Sequence, residues 1–168
     1  MTHALLLVGA PGAGKSSILE ALGSALERAE IPYGSIESEQ LSMGWPLLPA
    51  TTWIPTLATV LSAQLAAGRT LLLIAATPES PTDLVQLQAA IPTERLTTIC
   101  LSAPPDLVAS RIATREPDTW PGKPHLIAHA RHLAATIPTF PGITETISTI
   151  DRAPTSIAAA LARTFLLT

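Results

Sequence analysis

The stretch Gly9-Ala10-Pro11-Gly12-Ala13-Gly14-Lys15-Ser16 matches the pattern G-x-x-x-x-G-K-[ST] of a phosphate-binding loop. A triphosphate concentrates negative charge, and the backbone N–H groups at a helix N-terminus bind such a charge well because the helix dipole adds partial positive charge. Backbone surrounds phosphates closely only where side chains are absent, and the three glycines of the stretch meet that need. The stretch therefore predicts a nucleotide-binding loop between a strand and a helix.

Individual positions of this loop have predicted roles in binding ATP and Mg²⁺, the two cofactors that the pattern implies. The Lys15 ammonium is expected to reach the β- and γ-phosphates, and the Ser16 hydroxyl is expected to be a Mg²⁺ ligand. The rest of the predicted nucleotide site in this segment consists of Gly9, Pro11, Gly12, Ala13, Gly14 and Ser17. A glycine-rich turn without a ligand has no need of Lys-Ser at its end, so nucleotide binding is the favoured interpretation.

Strand-like and helix-like segments alternate along the rest of the chain. The apolar run 4–8 predicts the first strand, and the apolar spacing of 15–29 predicts the first helix. Further strands are predicted at 33–36, 70–76, 97–102 and 144–150, and further helices at 56–67, 81–90, 105–115, 125–136 and 154–167. The Pro- and Trp-rich segment 44–55 is expected to be irregular. This alternation predicts a single α/β domain, 1–168, with a parallel sheet covered on both sides by helices.

Composition narrows the function further. The chain has 168 residues, of which 47% are hydrophobic and 14% charged, as is typical of a folded soluble domain. The net charge is −3 and the ten lysines and arginines form no run, which argues against a nucleic-acid or acidic-membrane partner. Cys100 is the single cysteine and lies in an apolar run, so a buried thiol and a reducing cytoplasm are expected. No apolar run is long enough to predict a signal peptide or a membrane span.

Three segments give the chain a resemblance to a known family: the loop Gly9 to Ser17, the acid-bearing segment 33–39 (YGSIESE), and the arginine-bearing segment 111–115 (RIATR). Together they resemble the small P-loop kinases related to nucleoside monophosphate kinases, gluconate kinase, shikimate kinase and chloramphenicol phosphotransferase. The resemblance implies a three-layer P-loop NTPase sandwich with parallel strand order 2-3-1-4-5 and a small mobile lid. It also implies transfer of the γ-phosphate of ATP to a hydroxyl of a small molecule.

Two glutamates follow the second predicted strand, where the resemblance places an aspartate. Phosphoryl transfer needs an acid to orient the acceptor hydroxyl or to hold the metal. Glu37 is the first acid after the strand and is the preferred candidate for the general base. Glu39 is the second candidate for the base and, beside Ser16, the acid assigned to Mg²⁺, with Glu37 and Glu79 as the alternative acids for the metal. In the alternative interpretation both are solvated loop carboxylates.

Arginines are the remaining candidates for neutralising phosphate charge. Arg111 and Arg115 lie one helical turn apart and share a face, and the resemblance implies that such a pair contacts the adenine or the phosphates. Arg115 is the candidate catalytic cation, and Arg111 is assigned to the nucleotide. The resemblance also implies that the segment after the last strand holds the adenine, so Arg152 could line the base, whereas Asp151 could equally be only the cap of the last helix. The alternative for the pair is a surface role, bonding Glu116 or Asp118.

The polar segment 116–124 lies between two predicted helices and is the expected lid. Its Lys123 is a candidate for a cation that moves over the phosphates, and its Trp120 either stacks on a ligand or holds the segment in place. His125, His129 and His132 follow at helical spacing without a cysteine or carboxylate nearby, so a solvated helix face is favoured over a metal site.

The third predicted strand departs from the pattern of many P-loop proteins, because it runs into Thr77-Pro78-Glu79 without an aspartate at its end. Two function classes therefore stay open: a small-molecule kinase, and an ATP-binding regulatory module that hydrolyses ATP slowly. The absence of an N-K-x-D guanine signature favours ATP over GTP. Trp45, Trp53 and the leucines at 47 and 48 make the expected acceptor pocket apolar, which favours a hydrophobic alcohol over a second nucleotide. The sequence leaves the oligomeric state open.

Overall fold

Five parallel strands form the sheet at the centre of the protein, and their order 2-3-1-4-5, numbered along the chain, is the one that the resemblance to the small P-loop kinases implies. The computed structural model describes the backbone of residues 1–166 and the side chains of residues 1–164. The strands are β1 (His3–Val8), β2 (Tyr33–Glu37), β3 (Leu71–Ala76), β4 (Arg95–Ser102) and β5 (Glu145–Ser148). The predicted end of the last helix, Leu167, lies outside the described residues.

Within residues 1–166, five helices lie between strands and a sixth follows β5, and together they cover both faces of the sheet. They are α1 (Lys15–Arg28), α2 (Ala50–Ala66), α3 (Pro81–Ala90), α4 (Pro105–Arg115), α5 (Lys123–Thr136) and α6 (Pro154–Leu166). Short 3₁₀ turns follow β2 at Ser38–Leu41 and α5 at Ile137–Thr139. Among the described residues, no helix is both long and apolar enough to cross a bilayer.

The two faces of the sheet bury separate apolar clusters. In β1, Leu5 and Leu7 face the cluster that contains α1 and α6, whereas Leu6 and Val8 face the cluster that contains α2 and α3. Successive side chains of a strand point to opposite faces, so a strand covered on both sides must be apolar throughout. This requirement explains the continuous apolar runs of β1, the central strand, and of its neighbour β3.

Segment 44–55 is only partly irregular, which corrects the sequence-based expectation. Helix α2 begins at Ala50, six residues before the predicted start, and includes Pro55. A proline inside a helix removes one backbone hydrogen bond and is normally unfavourable. Here Ile54, Leu57 and Leu61 form a buried stripe against the sheet, and the burial of these side chains outweighs the cost of the proline.

Local signals at other helix ends were correct. Ser80 caps α3, because its Oγ accepts the N–H of Asp83 at 3.1 Å, and Gly68 follows α2 with a φ of 85°. The segment predicted as the lid, 116–124, is shorter than expected, since α5 starts at Lys123 instead of 125. The last strand is also shorter than its predicted range of 144–150.

Candidate functional site

The phosphate-loop segment joins the carboxyl end of β1 to α1, at the edge of the sheet where parallel α/β proteins bind ligands. Gly14 precedes α1 with a φ of 99°, and Gly12 has a φ of 81°. A Cβ added at Gly12 would lie 2.9 Å from the backbone oxygen of Val108. The first turn of α1 leaves backbone N–H groups without intrahelical partners, so this concave loop suits an anionic group.

Lys15 lies at the centre of the site with only 7% of its surface exposed. Its Nζ donates to the backbone oxygens of Gly9 at 2.9 Å and Ala10 at 3.1 Å, and lies 3.8 Å from Oε1 of Glu39. Burial lowers the pKa of Lys15, whereas the carboxylates of Glu39 and Glu37 oppose that shift. An ammonium held in this way is available to an anion that enters the loop.

Glu37 contacts the loop through its serine. It is the last residue of β2, pairs with Ala75 of β3, and accepts a hydrogen bond from Ser16 Oγ on Oε2 at 3.0 Å. A hydroxyl and a carboxylate together are the oxygen ligands that Mg²⁺ prefers. The pair therefore fits a Mg²⁺ site at the start of α1.

Glu39 lies in the 3₁₀ turn after β2 and points in a different direction from Glu37. Its Oε1 accepts a hydrogen bond from Oγ1 of Thr77, which also donates to the Gly9 oxygen at 3.2 Å. Thr77 is the residue directly after β3, where an acid was absent from the sequence. The carboxyl ends of β1, β2 and β3 are therefore connected by the Thr77 hydroxyl, the Glu39 carboxylate and the Lys15 ammonium.

Arg111 connects the phosphate loop to the segment that follows β5. From α4, its Nη1 donates to the Gly12 oxygen and to Thr149 Oγ1, both at 3.1 Å, and its Nη2 donates to the Thr149 oxygen at 3.0 Å. Arg152 and Ser17 line a neighbouring cavity of about 230 Å³ together with Arg111. This cavity lies beside the loop and next to Arg152, the residue expected from the sequence to line the nucleotide base.

Arg115 is one turn further along α4 and lines the space over the loop, a cavity of about 250 Å³ that it shares with Lys15, Ser16 and Glu39. Its Nε donates to Glu116 Oε1 at 2.7 Å, which is one of the two bonds expected if the arginine pair had only a surface role. The structure thus brings the catalytic candidates Lys15 and Arg115 to one cavity.

A larger cavity of about 520 Å³ adjoins this space and shares three residues with it: Pro11, Glu39 and Arg115. The apolar part of its wall consists of Leu47, Leu48, Trp53, Pro78, Leu87 and Leu126. Its polar part includes Glu79 and His129, which pair through Oε1 and Nε2 at 3.1 Å. The arrangement is a mainly apolar pocket with one carboxylate, Glu39, at its junction with the phosphate loop.

Lys123 is not a lid cation, which corrects the expectation from the sequence. Only 8% of it is exposed, and its Nζ donates to the oxygens of Ala113 at 2.7 Å, Glu116 at 2.8 Å and Asp118 Oδ1 at 2.6 Å. The bond from Lys123 lowers the pKa of the Asp118 carboxyl. Trp120 and Lys123 line a separate cavity of about 560 Å³, away from the phosphate loop. The lysine stabilises the end of α4 and the start of α5.

Thr77 and Thr149 were not recognised as site residues from the sequence, and the expectation that no carboxylate lies near the histidines of α5 was wrong, because Glu79 bonds His129. Thr77 and Thr149 each follow a strand and carry a hydroxyl, but hydroxyls at strand ends are too common to mark a site. His129 contacts Glu79 across 50 residues, and only the packing of α5 against the pocket brings them together. The rings of His125 and His129 stack with centroids 6.3 Å apart, and the described residues contain no group of three or more metal-ligating side chains.

Comparisons with known proteins find relatives by structure. No protein-family model matches the chain, and no curated protein sequence matches it. An unliganded sugar kinase from Janibacter sp. HTCC2649 is 17% identical with a TM-score of 0.69, covering 99% of this chain and 95% of the other. The APS kinase of Mycobacterium tuberculosis, in complex with AMPPNP and APS, is 18% identical with a TM-score of 0.67 and coverages of 99% and 98%. Shikimate kinase from Acinetobacter baumannii, in complex with shikimate, is 18% identical with a TM-score of 0.60 and coverages of 99% and 94%.

These comparisons establish the fold. The chain has the three-layer fold of the small P-loop kinases along nearly its whole length, with the strand order 2-3-1-4-5. The resemblance inferred from the segments at 9–17, 33–39 and 111–115 is therefore confirmed at the level of fold.

Proposed function

We propose that this protein is an ATP-dependent phosphotransferase that transfers the γ-phosphate to a hydroxyl of a small molecule. One observation carries the proposal: Glu39 lies between the loop lysine and a separate, mainly apolar cavity. A protein that only bound ATP would need the loop, whereas a carboxylate shared with a second cavity is what an acceptor hydroxyl requires.

The nucleotide would occupy the loop and the adjoining cavity of about 230 Å³. Backbone N–H groups and Lys15 would bind the β- and γ-phosphates, while Arg111 holds the loop through the Gly12 oxygen. Arg152 would line the base. ATP and a free buried thiol suit a reducing cytoplasm, which is part of this proposal.

The contacts favour a different division of roles between the two glutamates than the sequence suggested. Glu37 bonds the Ser16 hydroxyl, so we assign Ser16 and Glu37 to the Mg²⁺ site. Glu39 faces the acceptor cavity, so we assign it as the general base. Bound Mg²⁺ would supply positive charge that stabilises the phosphate oxygens during transfer.

The transfer itself can be described through the residues of this chain. Glu39 would orient the acceptor hydroxyl and take its proton as the new oxygen–phosphorus bond forms and the bond between the γ-phosphorus and ADP breaks. Lys15 and Arg115 lie where charge on the transferring group would develop, and both would stabilise it more strongly in the transition state than in the ground state. The apolar wall of the larger cavity would limit water as a competing acceptor.

Release of ADP that depends on an added alcohol tests the proposal. Glu39→Gln should retain MgATP affinity and lower turnover by about 10²-fold or more, the usual scale for a general base. Glu37→Gln should instead raise the Mg²⁺ concentration required for half-maximal activity. Glu145→Gln, at the opposite edge of the sheet, is the matched control and should resemble the wild type. If Glu37→Gln loses turnover at saturating Mg²⁺ and Glu39→Gln does not, our assignment is reversed.

A second function has one observation in its favour. Thr77 stands after β3 in place of an acid, so the site has fewer carboxylates for a metal than many P-loop proteins have. An ATP-binding regulatory module with slow hydrolysis would need no acceptor. MgATP binding without acceptor-dependent ADP release, across alcohols, sugars and nucleosides, would favour this module over the kinase.

A further inference from the structure

The cavity of about 520 Å³ that Glu39 lines has more carboxylates than lysines and arginines in its wall. Its lining includes three carboxylates, those of Glu39, Glu79 and Asp83, but among the described residues that line it Arg115 is the sole arginine or lysine. Arg115 lies at the end nearest the loop, where it also lines the phosphate cavity and bonds Glu116. Among the described residues of the lining, the other basic side chain is His129, which pairs with Glu79, so an anionic acceptor would find no second arginine or lysine there.

The other two acidic groups of the lining, Asp83 and Glu79, have defined contacts. Asp83, at the start of α3, accepts the backbone N–H of Glu79 on Oδ2 at 3.2 Å. Glu79 contacts His129 through Oε1, and its side chain is 65% exposed to the cavity and solvent. Asp83 bonds the backbone of Glu79, and His129 bonds its carboxylate at the wall of the cavity, where the carboxylate remains accessible to a ligand.

The apolar part of the cavity wall indicates that the ligand has an apolar body. Leucines at 47, 48, 87 and 126, with Trp53 and Pro78, form a surface that would bury an apolar group. A carboxylate or phosphate placed against this wall would be repelled by the carboxylates of the lining, and His129, the basic side chain beside them, already bonds Glu79. A protonated amine would instead gain attraction from Glu79 and Asp83.

We propose that the acceptor is a hydrophobic amino alcohol, whose hydroxyl lies at Glu39 and whose protonated amine lies at Glu79. The inference rests on the proposed function, since it names the substrate class of that same site. It excludes sugar acids and phosphorylated acceptors as good substrates. The phosphate cavity remains the place for the one strongly anionic ligand, ATP.

A matched set of alcohols tests the inference, because its members differ at one carbon only. The probes are 2-amino-3-phenylpropan-1-ol, its methyl analogue 2-methyl-3-phenylpropan-1-ol, and its carboxylate analogue 2-(hydroxymethyl)-3-phenylpropanoate, with the same triad built on a branched alkyl body. Binding is measured by calorimetry with a non-hydrolysable ATP analogue present, and transfer is measured as ADP release. We expect the amine to bind about tenfold more tightly than the methyl compound, and the carboxylate to bind more weakly than both.

The variant Glu79→Gln connects this preference to its residue. It should reduce the preference for the amine over the methyl compound to about twofold or less while leaving MgATP affinity unchanged. The control Glu145→Gln removes a carboxylate at the opposite edge of the sheet and should leave the preference intact. A preference that survives Glu79→Gln would show that another group binds the amine and would overturn the assignment.

Other outcomes separate this inference from the proposed function. If neutral or carboxylate alcohols are phosphorylated as well as the amines, or if neither amine of the set binds, the inference is wrong while the kinase proposal can stand. If the amines bind with the expected preference but none of the alcohols releases ADP, the amine site stands and the kinase proposal loses its support.

Discussion

Substitution of the loop glycines by alanine tests the geometry of the phosphate loop, because each glycine is required for a different reason. Gly14 has a φ of 99°, but nothing lies within 4 Å of an added Cβ. At Gly9 the added Cβ would lie 2.7 Å from the Leu101 oxygen, and no positive φ is involved. Gly12 combines both constraints, with a φ of 81° and a Cβ position 2.9 Å from the Val108 oxygen.

The magnitudes follow from these two constraints. An alanine in left-handed conformation costs about 1–2 kcal/mol, so Gly14→Ala should lower the free energy of unfolding by about that amount. Forcing a Cβ against backbone that cannot rotate away costs about 1–3 kcal/mol, which is the expected loss for Gly9→Ala. Gly12→Ala should lose roughly the sum, about 2–5 kcal/mol. Alanine reduces the entropy of the unfolded chain equally in the three variants, so this effect cancels in the comparison.

Equilibrium urea unfolding without nucleotide measures these losses, and calorimetry with MgATP measures the function of the loop. Affinity for MgATP should fall most in Gly12→Ala, because the contact with Val108 of α4 moves the loop backbone. A loss for Gly14→Ala as large as that for Gly12→Ala would refute the reasoning, since it would show that the contact with Val108 is not what requires glycine at that position.

Three further results are expected. Lys123→Met should lower the free energy of unfolding by about 2–4 kcal/mol in urea titrations, because the ammonium bonds to two backbone oxygens are lost, while MgATP affinity stays at the wild-type value. Burial raises the pKa of the Cys100 thiol from 9.0 to about 11, so from pH 9 to pH 11 the unfolded chain loses this proton and the folded chain retains it. Wild-type stability should therefore fall by up to about 2.7 kcal/mol over that range relative to Cys100→Ala, and an equal pH dependence would contradict the burial of the thiol. Segment 116–124 stays a predicted lid: hydrogen exchange should slow there when an ATP analogue binds, and unchanged exchange would make it an ordinary surface loop.

Much of the fold could be predicted because its signals are local. The loop at 9–16 is recognisable from residue types at fixed spacing. The apolar runs of β1 and β3 indicate strands that are buried on both faces. The caps Ser80 and Gly68 act within one turn of their helices, so a short window of sequence contains the information. The start of α2 was wrong because the burial of Ile54 depends on the sheet, which a local proline signal does not include.

The residue types of the site could be predicted from the sequence. The tertiary structure decided which residues are their hydrogen-bond partners. The sequence determined that a lysine and a serine follow a glycine-rich loop, and that two glutamates follow the second strand. Which glutamate bonds Ser16 depends on where β2 ends, because Glu37 closes the strand and Glu39 already lies in the 3₁₀ turn. The glycine beside Lys123 suggested a mobile side chain, but the backbone oxygens of Ala113 and Glu116 at the end of α4 accept hydrogen bonds from its ammonium. Contacts between distant segments are set by packing in three dimensions, and residue spacing along the chain does not contain them.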